Sequence, residues 1–252
     1  MNTIVIISAN AEWRAIKEIL THSRIQFTPM GEYFDLTIDA GNEDGFAEKK
    51  GIRFFHGGWG KISAAATAQY AIDRWHPDLL VNLGTCGGFR DRIERGSIIL
   101  VTKTIVYDII EQMSDPAEAI ADYSVDLDLS WLPDQLPHPV QRGLLVSGDR
   151  DIVASDISDL VEKYDAIAAD WESGAIAWVA KKNAVHCLIL RGVTDLVSSA
   201  GGEAYGNIET FHENTKVVMA RLVEQLPDWL SVSSVVKRRM AYSSYKPRNT
   251  TK

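Results

Sequence analysis

The stretch that decides the fold is His186-Cys187-Leu188-Ile189-Leu190-Arg191-Gly192-Val193-Thr194-Asp195, a hydrophobic run that ends on a carboxylate. A run of this kind predicts a buried β-strand. In open α/β sheets, ligands bind outside the carboxyl ends of the strands, so an acid at this point faces a site rather than the core. Asp195 is therefore the first catalytic candidate. An Asp at a strand end is also a common turn residue, and the residue alone does not decide between these interpretations.

Similar apolar runs, bounded by Gly, Asp and Asn, recur along the chain, and segments with helical periodicity separate several of them. This alternation predicts one α/β domain over residues 1–230, with a mixed, twisted central β-sheet flanked by helices. The predicted strands are Thr3–Ser8, Ile52–His56, Leu79–Leu83, Ser97–Thr102, Arg142–Ser147 and His186–Arg191, with Tyr33–Ala40 as a candidate antiparallel partner. The predicted helices are Ile62–Trp75, Ala175–Lys182 and Thr215–Gln225. Residues 114–140, rich in Asp and Pro, are expected to form an irregular excursion rather than a linker.

The composition limits the classes of partner. The formal net charge of -8 argues against a nucleic-acid-binding surface, which would need a concentration of Lys and Arg. Only the segment from Lys237 to Lys252 is basic, and its polar composition predicts a solvated, poorly ordered tail over residues 231–252. No run approaches the roughly 20 apolar residues of a membrane span. The protein is therefore expected to bind neither nucleic acid nor membrane.

Two further features predict a cytoplasmic location. The residues Met1-Asn2-Thr3 lead directly into an apolar strand, without the basic region and cleavage site of a signal peptide. The two cysteines, Cys86 and Cys187, lie in a predicted glycine turn and a predicted strand. Neither has metal-ligand spacing around it, which fits a reducing compartment.

Two glycine clusters adjoin predicted elements. Gly57-Gly58-Trp59-Gly60-Lys61 leads into a helix, and Gly84-Thr85-Cys86-Gly87-Gly88 follows a strand. Both can wrap backbone amides around polar ligand groups, and both can equally be tight strand-to-helix turns. Neither is a phosphate-binding signature, since a Walker loop would need Gly where Phe55 stands and Ser or Thr where Ile62 stands.

Three acidic residues lie where predicted strands end or a predicted helix begins. Glu12 follows the first predicted strand, Glu172 lies at the start of a predicted helix, and Asp195 follows the late strand. In a doubly wound sheet these carboxylates can converge at one end. Glu12 and Glu172 can also be helix N-terminal acids, which the helix dipole favours.

Short motifs occur in a recognisable order: Gly60-Lys61, Pro77-Asp78, Asn82–Phe89, Gly96–Val101, Ser147-Gly148-Asp149, Asp170-Trp171-Glu172 and Val193–Val197. Together they resemble the nucleoside phosphorylase superfamily, which agrees with the predicted fold class. Within it the chain is most similar to the 5′-methylthioadenosine/S-adenosylhomocysteine nucleosidases, and two of the motifs resemble the plant-type members.

The resemblance implies cleavage of the bond between a purine and the ribose anomeric carbon, through a transition state with positive charge on the sugar. Asp195 matches the family's acid that protonates purine N7, and Thr194 would hold the base edge through its backbone. Glu172 matches the acid that binds the ribose hydroxyls, and Glu12 matches the acid that activates the attacking water. The other implied substrate-binding residues are Trp59, Thr85, Cys86, Gly87, Asp151, Ile152 and Trp171.

The resemblance also implies a small purine nucleoside as the partner, no metal or organic cofactor, a homodimer and a place in methionine salvage. Phosphate remains an alternative nucleophile, although a phosphorylase would need arginine where this chain has Glu12 and Asn82. A carboxylate would repel the phosphate, so water is the predicted nucleophile unless Arg14 turns inward. A second alternative is a non-catalytic nucleoside-binding or storage relative.

Departures from the family pattern affect which substrate the pocket is expected to accept. Ser-Gly-Asp is followed by Arg150-Asp151-Ile152, where the family commonly has an apolar or aromatic residue that packs on the purine. Trp59 stands where a smaller aliphatic residue is usual, and Trp171 replaces a methionine. Both tryptophans either reshape the pocket for a different 5′ substituent or pack in the core. Asp108 and Glu111 argue against a purely hydrophobic 5′ pocket.

Overall fold

A mixed sheet of eleven strands forms the centre of residues 1–22, 24–41, 47–198 and 200–232, the part of the chain that the computed structural model describes. The strands are β1 Thr3–Ile7, β2 Gln26–Thr28, β3 Gly31–Gly41, β4 Ala47–His56, β5 Leu79–Phe89, β6 Ile98–Val106, β7 Ser124–Asp126, β8 Gln141–Ser147, β9 Ala166–Asp170, β10 His186–Ser198 and β11 Gly201–Gly202. The helices are α1 Asn10–Ile19, α2 Gly60–Trp75, α3 Pro116–Asp122, α4 Ile157–Tyr164, α5 Ser173–Lys182 and α6 Ile208–Ser231.

Part of the sheet closes on itself. β10 pairs in parallel with β5 and antiparallel with β6. From β6 the sheet continues through β8 and β9 and returns to β5. β1, β4, β3 and β2 extend this closed part on one side, and the short strands β7 and β11 pair with β6 and β10. Because β5 and β10 lie side by side over most of their length, the residues on their C-terminal halves are held close together.

Helices cover both faces of the sheet, as the predicted fold class requires. Successive side chains of β1 alternate between two cores, because a strand has a repeat of two. Ile4 and Ile6 face the core that contains the buried residues of α2 and α5. Val5 and Ile7 face the core built with α1 and α6. The α/β prediction, with a mixed sheet flanked by helices, is confirmed.

Most predicted strands are observed, and β3 pairs antiparallel with β4 as expected. The predicted glycine turn at Gly84–Gly88 is wrong, because β5 continues through it to Phe89. Here the glycines serve close packing between strands: a Cβ on Gly88 would lie 2.7 Å from side-chain atoms of Ile93 and Val193. β10 likewise continues past Asp195 to Ser198.

The excursion predicted at residues 114–140 is largely irregular and belongs to the same domain. It contains α3 and β7, and the Trp131 side chain is buried in the core beside α6. The predicted basic tail, residues 231–252, lies outside the described residues from position 233 onward. No helix in the described ranges combines the length and apolar character needed to cross a bilayer.

Candidate active site

A cavity of about 600 Å³ lies beside the C-terminal halves of β5, β9 and β10 and the first turn of α1. Its size is typical of small-molecule sites. All the residues predicted for the site line it: Glu12, Trp59, Thr85, Cys86, Gly87, Asp151, Ile152, Trp171, Glu172, Thr194 and Asp195. The structure therefore brings together every side chain that the sequence nominated, the three carboxylates included.

Glu12 lies in the first turn of α1 and is buried. Its Oε1 accepts hydrogen bonds from the Thr85 backbone N–H at 2.6 Å and the Thr85 hydroxyl at 2.9 Å. Its Oε2 accepts from the Ala9 N–H at 3.2 Å, so the same carboxylate caps the helix. Burial raises the pKa of Glu12, while the positive charge of Arg191 and the bonds from Thr85 oppose that rise.

Arg191 on β10 is the residue that the sequence analysis missed. It is 0% exposed, and its guanidinium binds Asp170 Oδ2, Asn82 Oδ1 and Ser173 Oγ, each at 2.8 Å. Its Nη1 lies 3.7 Å from Glu12 Oε1 and has no hydrogen-bond partner among the described residues. Arginine is rarely fully buried unless it is paired. The position of Arg191 inside an apolar predicted strand was therefore a signal in the sequence for buried polar or acidic partners.

Glu172 is the N-cap residue of α5 and also faces the start of α2, where the Gly60 N–H donates to its Oε1 at 3.1 Å. Burial raises the pKa of Glu172 to about 8. The nearby Asp170 and Glu12 carboxylates add to the rise, and Arg191 opposes it. This carboxyl group therefore retains its proton to a higher pH than an exposed glutamate does.

Asp195 does not end β10, contrary to the prediction; it lies within the strand, directly after an irregularity in the pairing with β5. A bulge of this kind can re-aim a side chain beside a site. The Thr194 hydroxyl donates to Asp195 Oδ1 at 2.9 Å, and the Thr194 carbonyl already accepts from Asn214 Nδ2. Burial raises the pKa of Asp195, and the Thr194 hydroxyl and the Ala204 backbone oppose that rise.

The two tryptophans lie at the cavity rather than in the core. Trp59 is 58% exposed and Trp171 is partly buried, and neither belongs to a buried core cluster. The core-packing alternative is therefore wrong. Arg14 is exposed and does not line the cavity, so it does not turn inward.

Sequence analysis also missed a wall that runs from the loop after β11 into the first turn of α6, formed by Ala204, Tyr205, Gly206, Asn207, Ile208 and Phe211. The Tyr205 hydroxyl donates to the Ile152 carbonyl at 2.9 Å and so connects this wall to the segment after β8. In that segment Asp151 is exposed, while Arg150 pairs with Asp156 at 3.3 Å. No local pattern in the stretch around Tyr205 indicated a site.

Metal ligation has no support in this geometry. No three His, Cys, Asp or Glu side chains are grouped as metal ligands within the described residues. The charged groups of the cavity are instead arranged around Arg191, which contacts Asp170 and Glu12. The arrangement offers three carboxyl groups in different environments to a single bound molecule.

The sequence matches the family model described as "Phosphorylase superfamily" over residues 29–226. The chain belongs to the phosphorylase superfamily. A 5′-methylthioadenosine/S-adenosylhomocysteine nucleosidase of Staphylococcus saprophyticus is 30% identical over 183 residues, which cover 67% of this chain and 78% of that protein. The Exiguobacterium protein of the same name is 28% identical over 195 residues, which cover 71% of this chain and 81% of that protein.

Solved structures of superfamily members share the fold. A mutant of the Helicobacter pylori nucleosidase, with 5′-methylthioadenosine in its active site, has a TM-score of 0.71 and 17% identity over 94% of this chain and 98% of that chain. Futalosine hydrolase of Helicobacter pylori has a TM-score of 0.71 and 18% identity over 89% and 97%. The predicted nucleoside phosphorylase-like fold is thereby confirmed.

Proposed function

We propose that this superfamily member is a nucleosidase that hydrolyses the N-glycosidic bond of a purine nucleoside, 5′-methylthioadenosine, S-adenosylhomocysteine or a close relative. The observation that carries the proposal is the meeting of Glu12, Glu172 and Asp195 in one cavity of about 600 Å³. The relatives named as nucleosidases of these two substrates support the same reaction.

Asp195 serves as the general acid at the base. Breaking the bond between the ribose C1′ and purine N9 leaves an electron pair on the base, and a proton given to N7 stabilises it. General acid help of this kind contributes about 10²–10⁴-fold. Burial supports the role because it raises the pKa of Asp195 and so retains the proton to be transferred.

Glu172 binds the ribose 2′ and 3′ hydroxyls. Its pKa of about 8 reflects burial and neighbouring carboxylates. Positive charge that develops on the sugar favours the ionised form, so the hydrogen bonds from the hydroxyls strengthen as the transition state is approached. An interaction that is stronger in the transition state than in the ground state accelerates the reaction.

Glu12 activates water on the other side of the sugar. The water oxygen forms the new bond to C1′ and its proton passes to Glu12, while the bond from C1′ to N9 breaks. The two Thr85 hydrogen bonds fix the carboxylate in place. Arg191 is buried and does not line the cavity, but its positive charge favours the ionised form of Glu12 that accepts the proton.

Water is favoured over phosphate by the local charges. The guanidinium of Arg191 is shared between Asp170 and Glu12, so it has little positive charge left for a dianion. A phosphate held against Glu12 would experience a repulsion of about 4 kcal/mol per pair of unit charges at 4 Å and an effective dielectric constant of 20. Arg14, the other candidate ligand, is exposed.

Product analysis tests the reaction. Purified protein is incubated with methylthioadenosine in phosphate-free buffer and in buffer with added phosphate, and base and sugar products are separated by chromatography. We expect free methylthioribose at the same rate in both buffers. Release that depends on phosphate and yields a sugar 1-phosphate would overturn the hydrolytic proposal, and no release of base would favour a binding or storage protein.

Assembly, domain limits and location belong to the same proposal. Ile62 and Ile110 are exposed apolar side chains that lie close in sequence to Lys61 and Asp108, which contact each other, and this supports a homodimer through this surface. Light scattering after gel filtration should give twice the mass of the chain.

We also propose a domain over residues 1–230, a cytoplasmic location and a role in methionine salvage.

A further inference from the structure

The start of α2 provides the hydrogen bond to the Glu172 carboxyl group. The donor is the backbone N–H of Gly60, 3.1 Å from Glu172 Oε1. Gly60 has a positive φ of 79°, a conformation that favours glycine. The helix-capping residue Trp59 makes no side-chain cap bond, so no local side chain caps the start of α2. Contacts from elsewhere in the chain supply the missing cap.

Those contacts come from a ring of three charged side chains, which we call the Lys61 ring: Lys61, Asp108 and Asp149. The Lys61 backbone N–H donates to Asp149 Oδ1 at 2.7 Å, across 88 residues of sequence. The Lys61 ammonium group donates to the Asp108 carboxylate. The Asp149 N–H donates to Asp108 Oδ2 at 2.9 Å and closes the ring.

The Lys61 ring replaces a local helix cap. The first N–H groups of a helix have no partners within the helix, and Asp149 satisfies one of them from a distant loop. A Cβ on Gly60 would lie 2.8 Å from Asp149 Oδ1, so the loop approaches the helix start closely. The side chains of Lys61 and Asp108 are 22% and 14% exposed, so this ion pair is shielded from most of the solvent.

The loop that carries Asp149 is also attached to the segment that carries Glu172. The Gly148 N–H donates to the Asp170 carbonyl at 3.1 Å. The Ser147 hydroxyl donates to Asp170 Oδ1 at 2.6 Å and accepts from the Gly174 N–H at 2.8 Å. The carboxyl group of Glu172 and its Gly60 donor are therefore held on one connected framework.

We propose that Lys61, Asp108 and Asp149 are positioning residues that orient the Glu172 carboxylate toward the ribose hydroxyls. The inference rests on the proposed nucleoside hydrolysis. None of the three lines the cavity, so their effect passes through the bond from Gly60 to Glu172 and not through contact with the substrate. Loss of the ring frees the start of α2 and misdirects the carboxylate.

A comparison of the ribonucleoside with its 2′,3′-dideoxy analogue tests this effect specifically. In Lys61→Met, we expect kcat/KM for the ribonucleoside to fall by about 10²-fold, the cost typical of a misplaced catalytic group. The inhibition constant of the matching 2′,3′-dideoxynucleoside, measured by competition, should stay at the wild-type value because both hydroxyl contacts with Glu172 are absent from it. Lys61→Arg, which keeps the charge, should restore part of the activity.

Matched controls separate positioning from general damage. Lys216→Met removes an exposed lysine that pairs with Glu18, and neither residue lines the cavity, so both constants should remain unchanged. Circular dichroism checks that each variant is folded, and Asp149→Ala is the second variant if Lys61→Met does not fold.

Parallel weakening of both constants, or an unchanged kcat/KM, would overturn the inference while leaving the proposed hydrolysis intact. A wild-type protein that releases no base from any purine nucleoside would overturn both.

Discussion

The Nη1 atom of Arg191 lies 3.7 Å from Glu12 Oε1, and both side chains are buried. The same guanidinium contacts Asp170 Oδ2 at 2.8 Å. One buried cation thus serves two buried carboxylates. Removing one partner of such a group leaves charge uncompensated inside the protein, which costs far more than losing an exposed ion pair.

Arg191→Met should therefore lower the free energy of unfolding by about 3–5 kcal/mol. Urea denaturation at neutral pH measures the change. Arg92→Met is the matched control, because Arg92 pairs with the exposed Asp165 and such pairs contribute at most about 1 kcal/mol. Equal losses in the two variants would contradict the structural role assigned to Arg191.

Asp195→Asn should lower kcat by about 10²–10⁴-fold, since an amide cannot donate the proton that the leaving purine needs. Nucleoside affinity, measured by titration calorimetry, should change little. Asp126→Asn, a change at an exposed position on β7, provides the control and should leave both quantities as in the wild type. An undiminished kcat in Asp195→Asn would remove this residue from the mechanism.

The pH dependence of kcat/KM should be bell-shaped. The rate falls at low pH because Glu12 must be ionised to accept a proton, and it falls at high pH because Asp195 must be protonated to donate one. Burial raises the pKa of both groups, so both limbs lie above the ordinary carboxyl range. In Glu12→Gln the rate should fall while nucleoside binding persists; a normal rate would exclude Glu12 as the base.

Stability should fall as the pH rises between 4.5 and 8. The pKa of Glu172 rises from 4.5 to about 8 on folding, so in this range the folded protein binds more protons than the unfolded chain. The stabilising contribution is complete below pH 4.5 and is lost as the pH rises through 8, with a slope of at most about 1.4 kcal/mol per pH unit. Urea denaturation at several pH values checks this. Glu172→Gln should reduce the slope, and an identical slope in that variant would refute the assignment.

The sequence predicted seven of the eleven strands that the described residues form, because their apolar runs are local signals that do not depend on the rest of the chain; the short strands β2, β7, β9 and β11 were not predicted. It also nominated Glu12, Glu172 and Asp195 correctly as cavity residues. Their roles remain predictions. The glycines of β5 were misread because a glycine required by a neighbouring side chain looks the same in sequence as a glycine required by a turn. The Cβ of an alanine at position 84 would overlap the guanidinium of Arg191, a constraint from a strand more than a hundred residues away.

The wall around Tyr205 and the Lys61 ring were beyond sequence reasoning for the same reason. Tyr205 belongs to the site because its hydroxyl reaches the Ile152 carbonyl. Lys61 contacts Asp108 and Asp149, which lie on separate loops. Such contacts depend on the pairing of β5 with β10, which closes the sheet. The hydrophobic periodicity of the sequence does not predict which strands pair.

Glu12 is held by three hydrogen bonds that join the first turn of α1 to Ala9 and to β5. The group assigned to water activation is thus preorganised by the folded backbone. The conformational entropy of aligning this side chain is lost once, when the protein folds, and need not be lost again in each catalytic cycle. Turnover on that side of the sugar requires reorganisation of the water alone.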